Sequence, residues 1–161
     1  MLSKLEAYIG CVCVPSNTTK KMPAYPYVSF SMINNSEHGG TYAETTIERD
    51  GAEVAVRVMP ILQTWSFTVQ SDKEAEALEK AMLINDFFQE AKRQELADND
   101  IIVAKVGAIT PRDNLITIEY EYRKGLDITL RLNNVIDNPT DETIENITLA
   151  SNAGDINLEK E

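Results

Sequence analysis

An Asp-Gly turn between two alternating stretches constrains the fold of this 161-residue chain more than any other feature. Asp50-Gly51 lies in the middle of TYAETTIERDGAEVAVRVM, and Asp-Gly is among the strongest sequence signals for a two-residue β-hairpin. If Arg49 pairs with Ala52, small and branched residues align on one face of the hairpin. The aligned pairs are Ile47–Val54, Thr45–Val56 and Ala43–Val58. The chain therefore contains antiparallel β structure with a defined register.

The segment before this hairpin, MPAYPYVSFSM, predicts a strand that begins behind two prolines. Val28, Phe30 and Met32 alternate with Ser29 and Ser31, which is typical of a half-buried strand. The second proline has no N–H group to donate to a neighbouring strand. The first residues of the strand therefore belong at an edge of the sheet or outside it.

The second arm of the hairpin changes its apolar phase part-way along. The apolar positions are Val54, Val56 and Val58 before the change, and Ile61, Trp65, Phe67 and Val69 after it. Even numbers give way to odd ones, and Pro60 lies at the change. A bulge or a bend at Met59-Pro60 would explain both observations.

A helix follows this arm. Ser71 and Glu74 have the spacing of a capping box, which predicts a helix that begins there and runs to about Lys92. Its apolar residues form two stripes on different faces of the helix. The first stripe is Ala75, Leu78 and Met82, and the second is Ile84, Phe87, Phe88 and Ala91. Such a helix is covered from more than one side, by its own sheet and by another element or another subunit.

The C-terminal half contains two more β patterns. The apolar run DIIVAKVGAI ends at Pro111 and predicts a strand that is buried on both faces. The stretch NLITIEYEYRKGLDITLRLNNVI predicts a hairpin with a three-residue loop, Arg123-Lys124-Gly125, in which Gly125 takes a positive φ. After Asn138-Pro139 the chain is polar and acidic, with a short strand predicted over residues 143–149.

Together these elements predict an α+β fold with a mainly antiparallel sheet. One long amphipathic helix packs across the sheet, and residues 3–9 form a short N-terminal helix that ends at Gly10. We expect a single domain over residues 1–150 and a frayed acidic tail over residues 151–161.

The charge balance limits the classes of partner. The chain has 26 acidic and 15 basic side chains, giving a net charge of −11, and such a surplus repels phosphate backbones. No apolar run approaches the roughly 20 residues that a membrane-spanning helix needs, and the N-terminus lacks the features of a signal peptide. We therefore expect a soluble cytoplasmic protein that binds neither nucleic acid nor a membrane.

No residue pattern supports an enzyme or a cofactor site. The single histidine, His38, lies in the predicted loop NNSEHGG, and no serine or cysteine has the setting of a nucleophile. Cys11 and Cys13 share a face of a predicted strand, but two thiolates without a second ligand pair do not complete a metal site. Glu119 and Glu121 could form a carboxylate pair, although alternating charges are typical of any solvated strand. We predict no catalytic, cofactor-binding or metal-binding residues.

The order of these elements, together with several segments, resembles the tail-terminator, or neck, proteins of tailed bacteriophages. The segments are PAYPYVSFSM, VRVMPILQTWSFTVQSDKEAEALEKAMLINDFF, YEYRKGLDITLRL and DNPTDETIENITL. The resemblance covers most of residues 22–150. Its main departure from the family pattern is the short first helix.

The resemblance implies a structural protein of the virion neck that assembles in the host cytoplasm. Such a protein forms a ring, typically a hexamer, that ends polymerisation of the tail tube and joins the tail to the head connector. DNA then passes through the ring without specific binding. The candidate subunit contacts are Tyr25, Tyr27, Tyr42, Met59, Leu62, Leu83 and Phe87, and the candidate acidic residues of the lumen are Glu119, Glu121 and Asp127.

Two other classes of function remain open on the residues alone. The acidic surplus suits an inhibitor or immunity-type protein that masks a basic partner. The carboxylates of Glu119 and Glu121 suit a hydrolase, if they converge on a cleft.

Overall fold

The computed structural model describes residues 1–19, 21–116, 119–137, 147–149 and 156–158. The helices are α1 (Leu2–Ile9), α2 (Glu74–Asp86) and α3 (Arg93–Ala97), with a π-helical turn at Phe87–Ala91 between the last two. The first strands are β1 (Val12–Pro15), β2 (Tyr27–His38), β3 (Ala43–Arg49), β4 (Ala52–Ser71) and β5 (Ile102–Val106). The later strands are β6 (Thr110–Pro111), β7 (Asn114–Ile116), β8 (Glu119–Asp137), β9 (Ile147–Leu149) and β10 (Ile156–Leu158). An α+β fold is therefore confirmed.

The chain divides into two compact units. The first unit comprises Met1–Tyr42 and Met59–Asn134, and the second comprises Ala43–Val58 and Val135–Glu161. The single domain that the sequence predicts over residues 1–150 stays a prediction, and most of the predicted acidic tail lies outside the described residues.

The first unit is built on a sheet in the order β1-β2-β4-β8-β5. β1 runs parallel to β2, whereas β2 runs antiparallel to β4 and β5 runs antiparallel to β8. Alternation gives the sheet one apolar and one polar face. Phe30 lies opposite Phe67 and Val28 opposite Val69, so the apolar side chains of β2 and β4 share a face.

The hydrophobic core lies between this apolar face and the helices. Phe67 of β4 packs against Phe88 with ring centroids 5.6 Å apart, and Phe88 contacts Phe87 edge-on at 5.1 Å. The helical residues that are buried here are Leu5, Ile9, Ala77, Ala81, Ile84, Phe87, Phe88 and Leu96. The sheet contributes Val28, Phe67, Val69, Val103, Leu126, Ile128 and Leu130. Burial of these aromatic rings is the largest apolar contribution to the stability of the unit.

The predicted long helix is interrupted. The N–H of Lys92 donates to the carbonyl of Phe87 at 3.1 Å, which is the i to i+5 bond of a π turn. Of the two predicted apolar stripes, only the one containing Ile84, Phe87 and Phe88 enters the core. Leu78 and Met82 of the other stripe are exposed, because Ala77 and Ala81 face the sheet instead.

The predicted capping box does not form. The helix begins at Glu74 with Lys73 as its N-cap, so Glu74 is the first helical residue and not the third. The hydroxyl of Ser71 accepts a bond from the Lys73 N–H at 3.1 Å and donates to the Glu76 carboxylate at 2.6 Å. The prediction failed because it placed the serine two residues too close to the helix. By contrast, α1 ends at Gly10 as predicted, with φ 70°.

The predicted hairpin around Arg123-Lys124-Gly125 is wrong. β8 is a single strand of 19 residues that runs through these positions. Tyr120, Tyr122, Leu126 and Ile128 are all even-numbered, so an unbroken strand keeps them on one face without a turn. Among the described glycines, those with positive φ are Gly10, Gly40 and Gly51, not Gly125. The charged side chains that indicated a loop are instead held by ion pairs, Arg123 with Glu121 of the same strand and Lys124 with Glu74 and Asp113.

Two further predictions about strands are corrected. The strand β5 was predicted to be buried on both faces, but it is an edge strand, because among the described strands it pairs with β8 alone. Val103 is its only fully buried residue. β4 continues through Met59 and Pro60 as one strand of 20 residues. The register shifts lie in its partner β2, on both sides of Asn34, and β2 extends to His38, where a loop was predicted.

The second unit contains the predicted hairpin of β3 and β4. Its register is confirmed, since Arg49 pairs with Ala52, and each predicted pair is present up to Ala43 with Val58. Arg57 forms an ion pair with Glu44 at 2.9 Å, and Arg49 with Asp137 at 3.0 Å. β9 and β10 pair antiparallel. The predicted strand at residues 143–149 is present at Ile147–Leu149, and residues 143–146 lie outside the described residues.

A pair of substitutions, one in α2 and one in the π-helical turn that follows it, tests which side of this helical segment faces the core. Phe88→Ala removes a fully buried ring, and we expect it to lower the free energy of unfolding by about 3–5 kcal/mol. Met82→Ala removes an exposed side chain, and we expect a change within about 0.5 kcal/mol. Urea denaturation of dissociated protein measures both. Equal losses would mean that the two faces of the helix are wrongly assigned.

Candidate functional site

The polar face of the sheet is organised by one arginine. Arg112 donates to the hydroxyls of Ser66 at 2.7 Å and Thr68 at 3.0 Å, and to the Asp127 carboxylate at 2.9 Å. Ser66 also donates to Asp127 at 2.7 Å. The guanidinium therefore joins β4 to β8 across the sheet.

The ionisation of the Asp127 carboxylate depends on these hydrogen bonds. Partial burial acts to raise its pKa, but the bonds from Ser66 and Arg112 and the charge of Arg112 outweigh burial and lower the pKa. A lowered pKa favours the ionised form in the folded protein. The resulting stabilisation is present at neutral pH and is lost as the pH falls through the folded-state pKa.

Gly125 makes room for the arginine side chain. A Cβ atom at Gly125 would lie 2.5–2.6 Å from three atoms of the Arg112 side chain, which is closer than van der Waals contact allows. The backbone of Arg112 also pairs with β8 at this point, because the Arg112 N–H donates a hydrogen bond to the carbonyl of Arg123 at 2.8 Å. Glycine is therefore favoured here by a close approach and not by a turn.

A second buried cluster lies further along β8. The carboxylate of Glu121 is buried, is bonded to the guanidinium of Arg123, and accepts a bond from the Tyr25 hydroxyl at 2.7 Å. The bond to Glu121, with partial burial and the negative charge, raises the pKa of Tyr25 to about 12. Tyr25 also stacks on Tyr27 with ring centroids 5.7 Å apart. The segment in front of β2 is thereby fixed to β8.

An ion-pair cluster around Lys124 joins the start of α2 to the sheet. Its ammonium lies 3.2 Å from carboxylate oxygens of both Glu74 and Asp113, and its side chain is almost fully buried. Burial acts to lower the pKa of Lys124, but the bonds and charges of these two carboxylates outweigh burial and raise it. Lys124 occupies an even position of β8, which explains how a cation lies on the helix-covered face.

The structure describes the side chains of two of the three acidic residues that the sequence singled out. The carboxylates of Glu121 and Asp127 are each bonded to an arginine, and the side chain of Glu119 lies outside the described residues. Burial is the main cause that raises the pKa of the Cys13 thiol to about 12, and it also raises that of Cys11. A raised pKa leaves little thiolate for nucleophilic attack. Within the described ranges, no three acidic, histidine or cysteine side chains are placed to bind a metal ion.

The outward side of α2 carries an apolar groove of about 590 Å³. We call it the outer groove, and it is lined by Ala75, Leu78, Glu79, Met82, Leu83 and Asp86. Leu78 is 42% exposed and Met82 is 58% exposed. Exposed apolar surface of this kind, with polar residues at its rim, is typical of protein–protein contacts.

The comparison with protein families decides what kind of protein this is. A family model described as phage neck terminator protein matches residues 1–157, which is nearly the whole chain. The chain belongs to this family. The resemblance that the sequence suggested is therefore confirmed. No curated protein matches the chain.

Membership in the neck terminator family gives a structural role in the tail and neck of a phage virion. Such a role relies on contacts with other virion proteins. In the described parts of this neck terminator, no helix is both long and apolar enough to cross a membrane.

The predicted contact residues of the neck terminator differ in exposure. Tyr25 and Tyr42 are exposed, and Met59, Leu62 and Leu83 are half-buried. Tyr27 and Phe87 are buried within the chain itself. Whether any of them touches another subunit, and whether Glu119, Glu121 and Asp127 line a lumen, stays a prediction. Of these predicted contact residues, only Leu83 lines the outer groove. The sequence nevertheless contains a signal for the groove, namely the apolar stripe of Ala75, Leu78 and Met82.

A substitution at Gly125 tests the Arg112 clamp, by which we mean the hydrogen bonds from the Arg112 guanidinium to Ser66, Thr68 and Asp127. We expect Gly125→Ala to lower the free energy of unfolding by about 1–3 kcal/mol, because the new methyl group displaces the arginine from its three partners. In an Arg112→Ala background the same substitution has nothing to displace, and its effect should fall below about 0.5 kcal/mol. Urea denaturation of the four proteins gives this comparison. An equal loss in both backgrounds would contradict the clamp.

Proposed function

We propose that this neck terminator forms a ring, hexameric by analogy with its family, that caps the tail tube. The ring ends polymerisation of the tube and joins the tail to the head connector. The observation that supports subunit association is the outer groove, whose exposed apolar side chains, Leu78 and Met82, lie on the side of α2 that the chain's own core does not use. The helix thus has one apolar side for folding and another for a neighbour.

The surfaces of a ring subunit must meet specific geometric demands. A ring is built from heterologous contacts, in which two different patches of one subunit meet the opposite patches of its neighbours. The groove supplies one such patch. Rigid placement of a contact reduces the ordering that association requires, and α2 is held rigidly by the Lys124 ion pairs at its start and by Phe87 and Phe88 at its end.

Electrostatics also fit passage of DNA through the ring. The net charge of −11 disfavours binding to the phosphate backbone. On the polar face, Glu121 and Asp127 are already neutralised by Arg123 and Arg112. A surface that contacts DNA only weakly lets it slide. We further infer that the role is structural and involves no chemical reaction.

Electron microscopy of negatively stained protein tests the proposal. We expect closed rings in the purified protein, or rings at the ends of tail tubes when the matching tube protein is present. Tubes polymerised with the neck terminator should also be shorter and more uniform than tubes formed alone. A control with heat-denatured protein should not limit their length.

Two outcomes would contradict the proposed function. One is a protein that stays strictly monomeric at tens of micromolar and never joins tail tubes. The other is tube polymerisation that proceeds unchanged in its presence.

A further inference from the structure

The rim of the outer groove is acidic. Glu79 and Asp86 line it on either side of Met82, and they lie seven residues apart on α2, so both point to the same side of the helix. A second depression next to it adds Glu90 and shares Met82 and Asp86. The groove therefore combines an apolar floor with carboxylates at its edge. Its occupant should present an apolar side chain flanked by a positive charge.

One segment of the same chain has this chemistry. The exposed large hydrophobic residues of the described part of the chain are Val12, Met22, Tyr25, Met32, Ile33, Tyr42, Leu78, Met82, Tyr120, Val135 and Ile136. Of these, Met22 alone has a lysine or arginine directly beside it in the sequence, namely Lys21. Met22 is 47% exposed, and Lys21 is exposed as well.

The position of this segment favours a contact between subunits. Met22 lies in the connection between β1 and β2, and none of the described residues of that connection lines the outer groove. The prolines Pro15, Pro23 and Pro26 surround the segment, and each fixes one backbone angle. A connection restricted in this way loses less conformational freedom when it docks.

We propose that the outer groove of one subunit receives Met22 and Lys21 of a second copy of this chain. Met22 fills the apolar floor beside Leu78 and Met82, and the Lys21 ammonium lies against Glu79, since the Asp86 carboxylate already accepts a hydrogen bond from the Tyr8 hydroxyl. The groove and the Met22 segment are different patches, so the contact is heterologous and can repeat from subunit to subunit. This inference rests on the ring of the proposed function and names the surfaces that join it.

A charge exchange tests the contact. Glu79→Lys places a positive charge opposite Lys21, and Lys21→Glu places a negative charge opposite Glu79. We expect each single variant to weaken subunit association by about tenfold at low salt, because like charges then face each other. The double variant restores an opposite pair and should recover most of the association. Ring counts in negative stain and analytical ultracentrifugation measure the effect.

Matched controls separate this contact from general effects. Glu48→Lys makes the same charge change at an exposed residue of β3 that does not line the groove, and we expect it to leave association unchanged. Met22→Ser should weaken association without a change in the free energy of unfolding of dissociated protein, because Met22 is exposed. Circular dichroism of each variant checks that it is folded.

Each outcome decides the inference. If the unmodified protein forms rings and the single charge variants form them equally well, the inference is wrong and the proposed function stands. If the single variants fail but the double variant does not recover, the groove and the segment bind different partners, and the inference is again wrong. If the unmodified protein forms no rings and does not join tail tubes, the proposed function itself has failed.

Discussion

The alternation of side chains along two long central strands is the constraint on which the first unit depends. β4 and β8 have 20 and 19 residues, and neighbouring residues point to opposite faces of the sheet. Phe67 and Val69 of β4 share the apolar face with Leu126 and Ile128 of β8. The residues between them form the polar face, where Arg112 holds Ser66, Thr68 and Asp127 together. One shift of register would exchange these two sets and place the carboxylate of Asp127 in the core.

Because the sheet has one apolar face, it needs one covering layer. The helical layer uses Ala77, Ala81, Ile84, Phe87 and Phe88 to cover it. The small alanines let the helix approach closely, and the π turn lies where the two adjacent phenylalanines enter the core. The apolar side chains of Leu78 and Met82 are then surplus to folding, since they lie on the other side of the helix. This surplus is the physical basis for expecting a neighbour, and membership in the phage neck terminator family says what kind of assembly would provide one.

The sequence predicted local features better than the partners of polar residues. The register of the β3–β4 hairpin follows from Asp50-Gly51, because a two-residue turn leaves no freedom in the pairing. The segment Arg123-Lys124-Gly125 resembles a loop in the sequence because it is polar and contains glycine. The residues that hold it in the strand, Glu74, Asp113 and Arg112, are distant in the sequence or belong to other elements, so the local pattern does not reveal them. The exposure of the strand β5 was missed for a similar reason, since an apolar run does not show which strands lie beside it. The outer groove could be located as an apolar stripe, whereas its acidic rim required the structure.

The central claim is that the outer side of α2 is buried by another copy of the chain in the assembled ring. Oxidation of Met82 by hydrogen peroxide, followed by mass spectrometry of the peptides, measures this burial directly, because an exposed thioether is converted to the sulfoxide more readily than a covered one. The account predicts that Met82 oxidises several-fold more slowly in assembled rings than in dissociated subunits. Equal rates of Met82 oxidation in the two states would contradict it.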